Sequence, residues 1–322
     1  MGYTAGEIIK DDEYNAFVSN SSSPFGYNHF AGVGAAGYGL GQTEIPTVEA
    51  TKSLTAAQWN TVLAGLDAIA NHTNDTMTAR GQVTSGDTIK IKAAVEADLA
   101  TLATSVNGGC VNSTAISTGS ELQSSRSSTR WAGSHTVEHS ITFANANNLR
   151  YFFNAGGTMR MKFTRPGNGG GSATSKDSSV DELISAVGNF DLAAARSLRS
   201  GSGETLTTNG FGIGAQDLTT SYQTLMVLTQ SSGSYTSMKV TVEAKANNTY
   251  GSATVVTMKY TLTDADGGDG EFTSGNTSSV DQYANFIGTT DFDTRVCFPT
   301  TNEGLATVYT IASSAEVSNS TA

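Results

Sequence analysis

His135 and His139 close the string His135-Thr136-Val137-Glu138-His139. On a helix, this H-x-x-E-H spacing aims two imidazoles at one zinc ion and leaves the glutamate as general base. The chemistry requires the helix. Here Val137, Ile141 and Phe143 alternate with polar residues, which predicts a strand. On a strand the two rings share a face but stand roughly 13 Å apart, too far for one metal. No obvious third ligand follows. The expectation is two solvent-facing histidines with no catalytic role.

Three other strings invite a chemical reading. Gly32-Val33-Gly34-Ala35-Ala36-Gly37 has the G-x-G-x-x-G form that cradles a dinucleotide pyrophosphate between a strand and a helix. No apolar strand precedes it, and Gln42 to Pro46 reads as extended or turn-like. Its glycines are expected to permit close packing beside Tyr27, Phe30 and Tyr38. The run Asp264-Ala265-Asp266-Gly267-Gly268-Asp269-Gly270-Glu271 is dense in oxygen ligands, and Asp264, Asp266 and Asp269 are the candidate calcium ligands. No bidentate glutamate stands twelve residues from Asp264, so a solvated acidic turn is the expectation. Cys110 and Cys297 match no metal or redox spacing and read as small buried hydrophobes. With no credible Ser-His-Asp order and no Cys-His pair, neither catalysis nor a cofactor is expected.

The elements that must position these residues fall into two expected domains, residues 1–125 and 126–322. The first contains a degenerate repeat. Its copies are Gly6 to Val18, Lys52 to Leu63 and Gly86 to Val95, each a polar turn and an aliphatic residue followed by a helix entry. Thr55 and Gln58 form a capping box. Trp59, Val62, Leu63, Leu66, Ile69 and Ala70 then make one apolar helix face, as do Ile91, Val95, Leu99, Leu102 and Val106. Short helices joined by long Gly-rich connectors make a poor globule. Tyr14, Phe17, Trp59, Leu63 and Leu66 are therefore assigned to an interface between subunits of a homo-oligomer, a trimer or a hexamer. Residues 107–130, rich in Ser, Thr, Asn and Gly, read as a linker.

The second domain reads as mainly β. Met159, Met161 and Phe163, then Met238 to Ala244, then Val256 to Leu262, alternate with polar residues. Asn154 to Gly157 and Asn247 to Gly251 are expected to turn between paired strands. A helix is predicted with Ser179 and Glu182 as its capping box and Gly201 as its stop. The whole is expected to be α+β and mainly β: small helical repeats, then an antiparallel β-sandwich or jelly-roll-like domain with one helical insertion.

The chain has 322 residues with 18 basic against 29 acidic side chains, a net charge of −11. That balance argues against nucleic acid as a partner. The basic residues Arg150, Arg160, Lys162 and Arg165 read as a solvated sheet face. No signal peptide or membrane-spanning run is visible, so synthesis in a cytosol is expected.

Two segments resemble the structural proteins of tailed bacteriophages, especially T4-like cyanophages and related marine phages. One is the repeat, with its aromatic–Asn pairs Tyr14-Asn15 and Trp59-Asn60 and the intervening Gly37-Tyr38-Gly39-Leu40-Gly41-Gln42. The other is Ile141 to Gly157, ending in Phe152-Phe153-Asn154-Ala155-Gly156-Gly157 and read as a strand and hairpin turn. The resemblance implies a non-enzymatic virion subunit of the tail, baseplate or neck fibres. It would contact other virion proteins and could meet a host surface receptor. A receptor- or glycan-binding tail tip, with the aromatics of residues 25–41 stacking on sugar, is one alternative. A capsid-surface decoration protein is another.

Overall fold

A computed structural model describes residues 11–32, 39–73, 75–86, 92–107, 116–131, 133–167, 175–209, 211–232, 235–264, 286–299 and 310–321. The chain is α+β with antiparallel sheets. Its helices are α1 (Asp11–Phe17), α2 (Tyr27–Ala31), α3 (Ala56–Thr73), α4 (Lys92–Asn107), α5 (Ala146–Asn154) and α6 (Ser175–Val187). Its strands are β1 (Ile116–Trp131), β2 (Gly133–Phe143), β3 (Thr158–Gly167), β4 (Asn189–Leu192), β5 (Ser197–Arg199), β6 (Thr205–Asn209), β7 (Gln223–Thr229), β8 (Lys239–Ala246), β9 (Val255–Asp264), β10 (Phe286–Pro299) and β11 (Ile311–Thr321).

Two compact units interleave along the chain and do not meet at one boundary near residue 125. The first comprises residues 1–117, 147–157 and 298–309; the second comprises 118–146, 158–297 and 310–322. In the first unit, α3 starts on the expected capping box. The Thr55 N–H donates to Gln58 Oε1 at 2.9 Å, and the Gln58 N–H donates to Thr55 Oγ1 at 3.2 Å. Trp59, Val62, Leu63, Leu66, Ile69 and Ala70 are all buried, as are Val95, Leu99, Leu102 and Val106 of α4.

That burial revises the interface assignment. Tyr14, Phe17, Trp59, Leu63 and Leu66 join one core of this single chain, together with Phe25, Tyr27, Phe30, Ile45 and Val48. These side chains leave water without a neighbouring subunit. Phe25, Tyr27 and Phe30 are likewise unavailable for stacking on a sugar.

The string Leu149 to Gly157 is a helix and its stop, not a hairpin. Leu149, Tyr151, Phe152 and Phe153 are buried on α5. The Gly157 N–H reaches the Phe152 carbonyl and the Gly156 N–H reaches that of Phe153, both at 2.9 Å. This paired closure requires a left-handed residue, and Gly156 supplies it at φ 91°. A Gly-Gly pair serves a hairpin and a helix stop equally well; the apolar run before it decides in favour of the helix.

In the second unit, the order β11-β2-β9-β8-β7-β6 forms a six-stranded sheet and β1-β10-β3-β4-β5 a five-stranded one. The alternating runs at Met159, Met238 and Val256 turn their apolar members inward as expected. The stretch from Ile116 to Arg130, expected as linker, is strand β1. Helix α6 begins before Ser179, so Asp181 and Glu182 lie within it. It ends at Gly188, φ 61°, whose N–H bonds the Ile184 carbonyl at 3.1 Å. Gly201 instead packs on that helix end: a Cβ there would lie 2.2 Å from the Ala186 carbonyl oxygen.

Lys162 is exposed on the outer face of β3 as expected, but the other three basic side chains are tied to partners. Arg150 is buried on α5, where it reaches Asn147 at 2.8 Å. Arg160 grips Asp191 with two 2.7 Å bonds, and Arg165 pairs with buried Asp177 at 2.8 Å. Among the described residues, no helix is long and apolar enough to cross a membrane.

Candidate functional site

His135 and His139 stand on strand β2, as their alternation predicted, but they face the interior. Strict alternation along β2 buries His135, Val137, His139, Ile141 and Phe143, and both histidines are fully buried. The solvent-facing expectation fails because inward apolar neighbours fix the face of a strand for every second residue, whatever its polarity. The two imidazoles remain separate. His135 Nε2 meets Asn319 Oδ1 at 2.9 Å, and its ring lies edge-on to Phe292 with centroids 4.6 Å apart.

His139 sits in a chain of polar side chains. Its Nε2 meets Ser124 Oγ at 2.6 Å, and Ser124 also donates to the Glu316 carboxylate. Its Nδ1 meets Thr294 Oγ1 at 2.7 Å, and Thr294 meets the Tyr260 hydroxyl at 2.6 Å. Ser124 and Thr294 come from β1 and β10 of the five-stranded sheet. Tyr260, His139 and Glu316 come from β9, β2 and β11 of the six-stranded sheet. Reading Tyr260, Thr294, His139, Ser124, Glu316, every successive bond crosses from one sheet to the other. Aromatic contacts pack the same region: Phe292 stacks on Tyr260 at 6.1 Å and meets Phe163 at 4.8 Å.

Burial pushes the His139 imidazole down to about 4, against the opposing pull of Glu316, so it is neutral at pH 7. Burial also pushes the Tyr260 hydroxyl well above the usual tyrosine range. Ser124 and His139 have the spacing of a nucleophile and its base. Their setting differs from a hydrolytic triad. The acid rests on the serine, a threonine occupies the far imidazole nitrogen, and Ser124 is only 2% exposed. This arrangement ties the two sheets together through side chains of five strands.

In the first unit, asparagine side chains stand in for strand partners. Asn28 Nδ2 donates to the Ile45 carbonyl and the Ile45 N–H donates to Asn28 Oδ1, each at 2.9 Å. Asn15 clips Val48 in the same way, at 2.9 and 2.8 Å, and Asn60 clips Val83 with two 2.9 Å bonds. Asn154 Nδ2 donates to the Gly39 carbonyl at 3.1 Å. Each asparagine follows a buried aromatic: Tyr14, Tyr27, Trp59 or Phe153. The aromatic anchors the helix, and the next side chain reaches the passing backbone. The run from Gly39 to Val48 is thus pinned at three points without joining a sheet. The pairs Tyr27-Asn28 and Phe153-Asn154 were legible as dipeptides but not as partners of the other two.

The described residues bring none of the remaining candidates together. Asp264 ends β9 and is buried, while Asp266 and Asp269 lie outside the described residues, as do Cys110, Tyr38, Gly34 and Gly37. Cys297 is a free, buried thiol, pushed up by burial. Among the described residues, no three metal-ligating side chains gather. An open cleft of about 420 Å³ beside the α3 N-terminus is lined by Leu54, Thr55, Val83 and Ser85, and the capping box already occupies that end. No protein-family model, curated protein or solved structure matches the chain.

Proposed function

We propose that the protein is a non-enzymatic structural subunit of a tailed-phage virion, in the tail, baseplate or neck fibres, assembling as a homo-oligomer with other virion proteins. The observation carrying this reading is what the phage-like string does in the fold. Leu149 to Gly157 supplies a buried helix, a glycine stop and, through Asn154, a clip on Gly39. The residues that resemble virion proteins do framework work. The second unit fits a β-sandwich of the jelly-roll-like kind, its inner faces joined by the His139 chain.

The oligomer rests on a different surface from the one the sequence suggested. Strand β11 is an eleven-residue sheet edge with one charged side chain, Glu316, and with Val317 55% exposed. Proteins that stay monomeric usually blunt such edges with lysine or proline. Immunogold labelling of virions with antibody to this chain tests the placement; label confined to tail structures supports it, and unlabelled virions refute it. Light scattering of the full chain tests the assembly. A monodisperse monomer at micromolar concentration would overturn the homo-oligomer.

A further inference from the structure

The hydrogen-bond chain through His139 has only one consistent direction. A carboxylate accepts and does not donate, so the single Ser124 proton goes to Glu316. Ser124 must then accept from His139, which places the imidazole proton on Nε2. The bare Nδ1 must accept, so Thr294 donates to it at 2.7 Å. Thr294 has no second proton, so the Tyr260 hydroxyl donates to Thr294 at 2.6 Å. Every proton has one acceptor, and each bond joins opposite sheets.

An added proton on the imidazole destroys this order. An imidazolium donates at both nitrogens, so Nδ1 no longer accepts from Thr294. The threonine proton must swing toward Tyr260, whose own hydroxyl proton then faces an occupied donor in a fully buried site. An unpaired buried polar group and a buried cation both cost folding free energy. The described titratable groups facing His139 are Glu316 from β11 and Tyr260 from β9, with His135 on the same face of β2. The strands β1, β10 and β3 present Ser124, Thr294 and Phe163, none of them titratable near neutral pH.

We propose that the chain Tyr260–Thr294–His139–Ser124–Glu316 is an acid-sensitive latch between the two sheets, released when the His139 imidazole takes a second proton. The latch holds β1 and β10 against the six-stranded sheet at neutral pH and loosens them first on acidification.

The test uses the full-length chain labelled with ¹⁵N-histidine, in which only four histidines need assignment. At pH 7 His139 is expected as the neutral Nε2–H tautomer. Between the ordinary histidine range and about pH 4, the protection factors of amides in Ile116–Trp131 and Phe286–Pro299, corrected for the pH dependence of intrinsic exchange, should fall about tenfold per pH unit, the slope of one proton, before those of other strands follow. His139→Gln, which cannot take that proton, should flatten the slope. The Nδ1–H tautomer, a normal titration, or protection factors in β1 and β10 indifferent to pH would each overturn the latch. If the variant misfolds, the wild-type tautomer and exchange profile decide alone.

Discussion

Asn28 holds Ile45 by both main-chain groups, seventeen residues away, through two 2.9 Å bonds in a buried setting. Removing the amide strands a buried N–H and a buried carbonyl together. Asn28→Ala should cost about 2–4 kcal/mol, since each stranded group costs roughly 1–3 kcal/mol and relaxation recovers part. Asn28→Asp keeps the acceptor and loses the donor, so it should fall between. Urea unfolding of the three proteins checks the order, and equal stability of Asn28→Ala and wild type would remove the clip from the framework.

Trp59 is the largest side chain of the first core and is fully buried, tilted against Phe17 with centroids 6.0 Å apart. Trp59→Ala should destabilise by about 3–5 kcal/mol. Because the pocket belongs to this chain, the loss should appear in unimolecular unfolding and not depend on protein concentration. Chemical denaturation at two concentrations tenfold apart separates the possibilities.

Gly65 sits within α3, where alanine ordinarily gains about 1 kcal/mol. A Cβ at Gly65 would lie 2.6 Å from the Tyr27 ring, and Tyr27 is buried. Overpacking of that kind costs about 1–3 kcal/mol. The clash should outweigh the propensity, so Gly65→Ala is expected to lower the melting temperature. Gly81, whose added Cβ meets nothing within 4 Å, is the control and should change little.

Acid should weaken both units through their buried histidines. Burial lowers His72 in the first unit and His139 in the second, the latter to about 4 from the ordinary 6.5. Where the folded value is depressed, the unfolded chain binds the proton first. The stability is complete above about 6.5 and is lost as pH falls toward 4. For His139 the window is worth about 3 kcal/mol. Denaturation midpoints measured from pH 7.5 to 4.5 should fall throughout the lower part of that range. A flat profile would mean the imidazoles are not buried as neutral groups.

The sequence by itself determined the periodic elements. The apolar stripe from Trp59 to Ala70 and the alternation of Met159, Val240 and Met258 depend on local spacing alone, and each burial follows. The capping box at Thr55 and Gln58 is local for the same reason. The HxxEH string was correctly a strand because the hydrophobic period is stronger information than a motif. Whether that strand showed its histidines to water was not local. It depended on the second sheet, whose Ser124 and Thr294 bond His139 and whose Phe292 packs against His135. The same limit applies to the asparagine clips, since Asn15 and Val48 are 33 residues apart and no periodicity links them. Tertiary structure also decided that α5 should join the first unit, where Ala155 enters the core and the Asn154 amide reaches the Gly39 carbonyl. Polar side chains far apart in the chain choose partners by distance in space, and the chain's own spacing records only the apolar faces and local pairs such as Thr55 and Gln58.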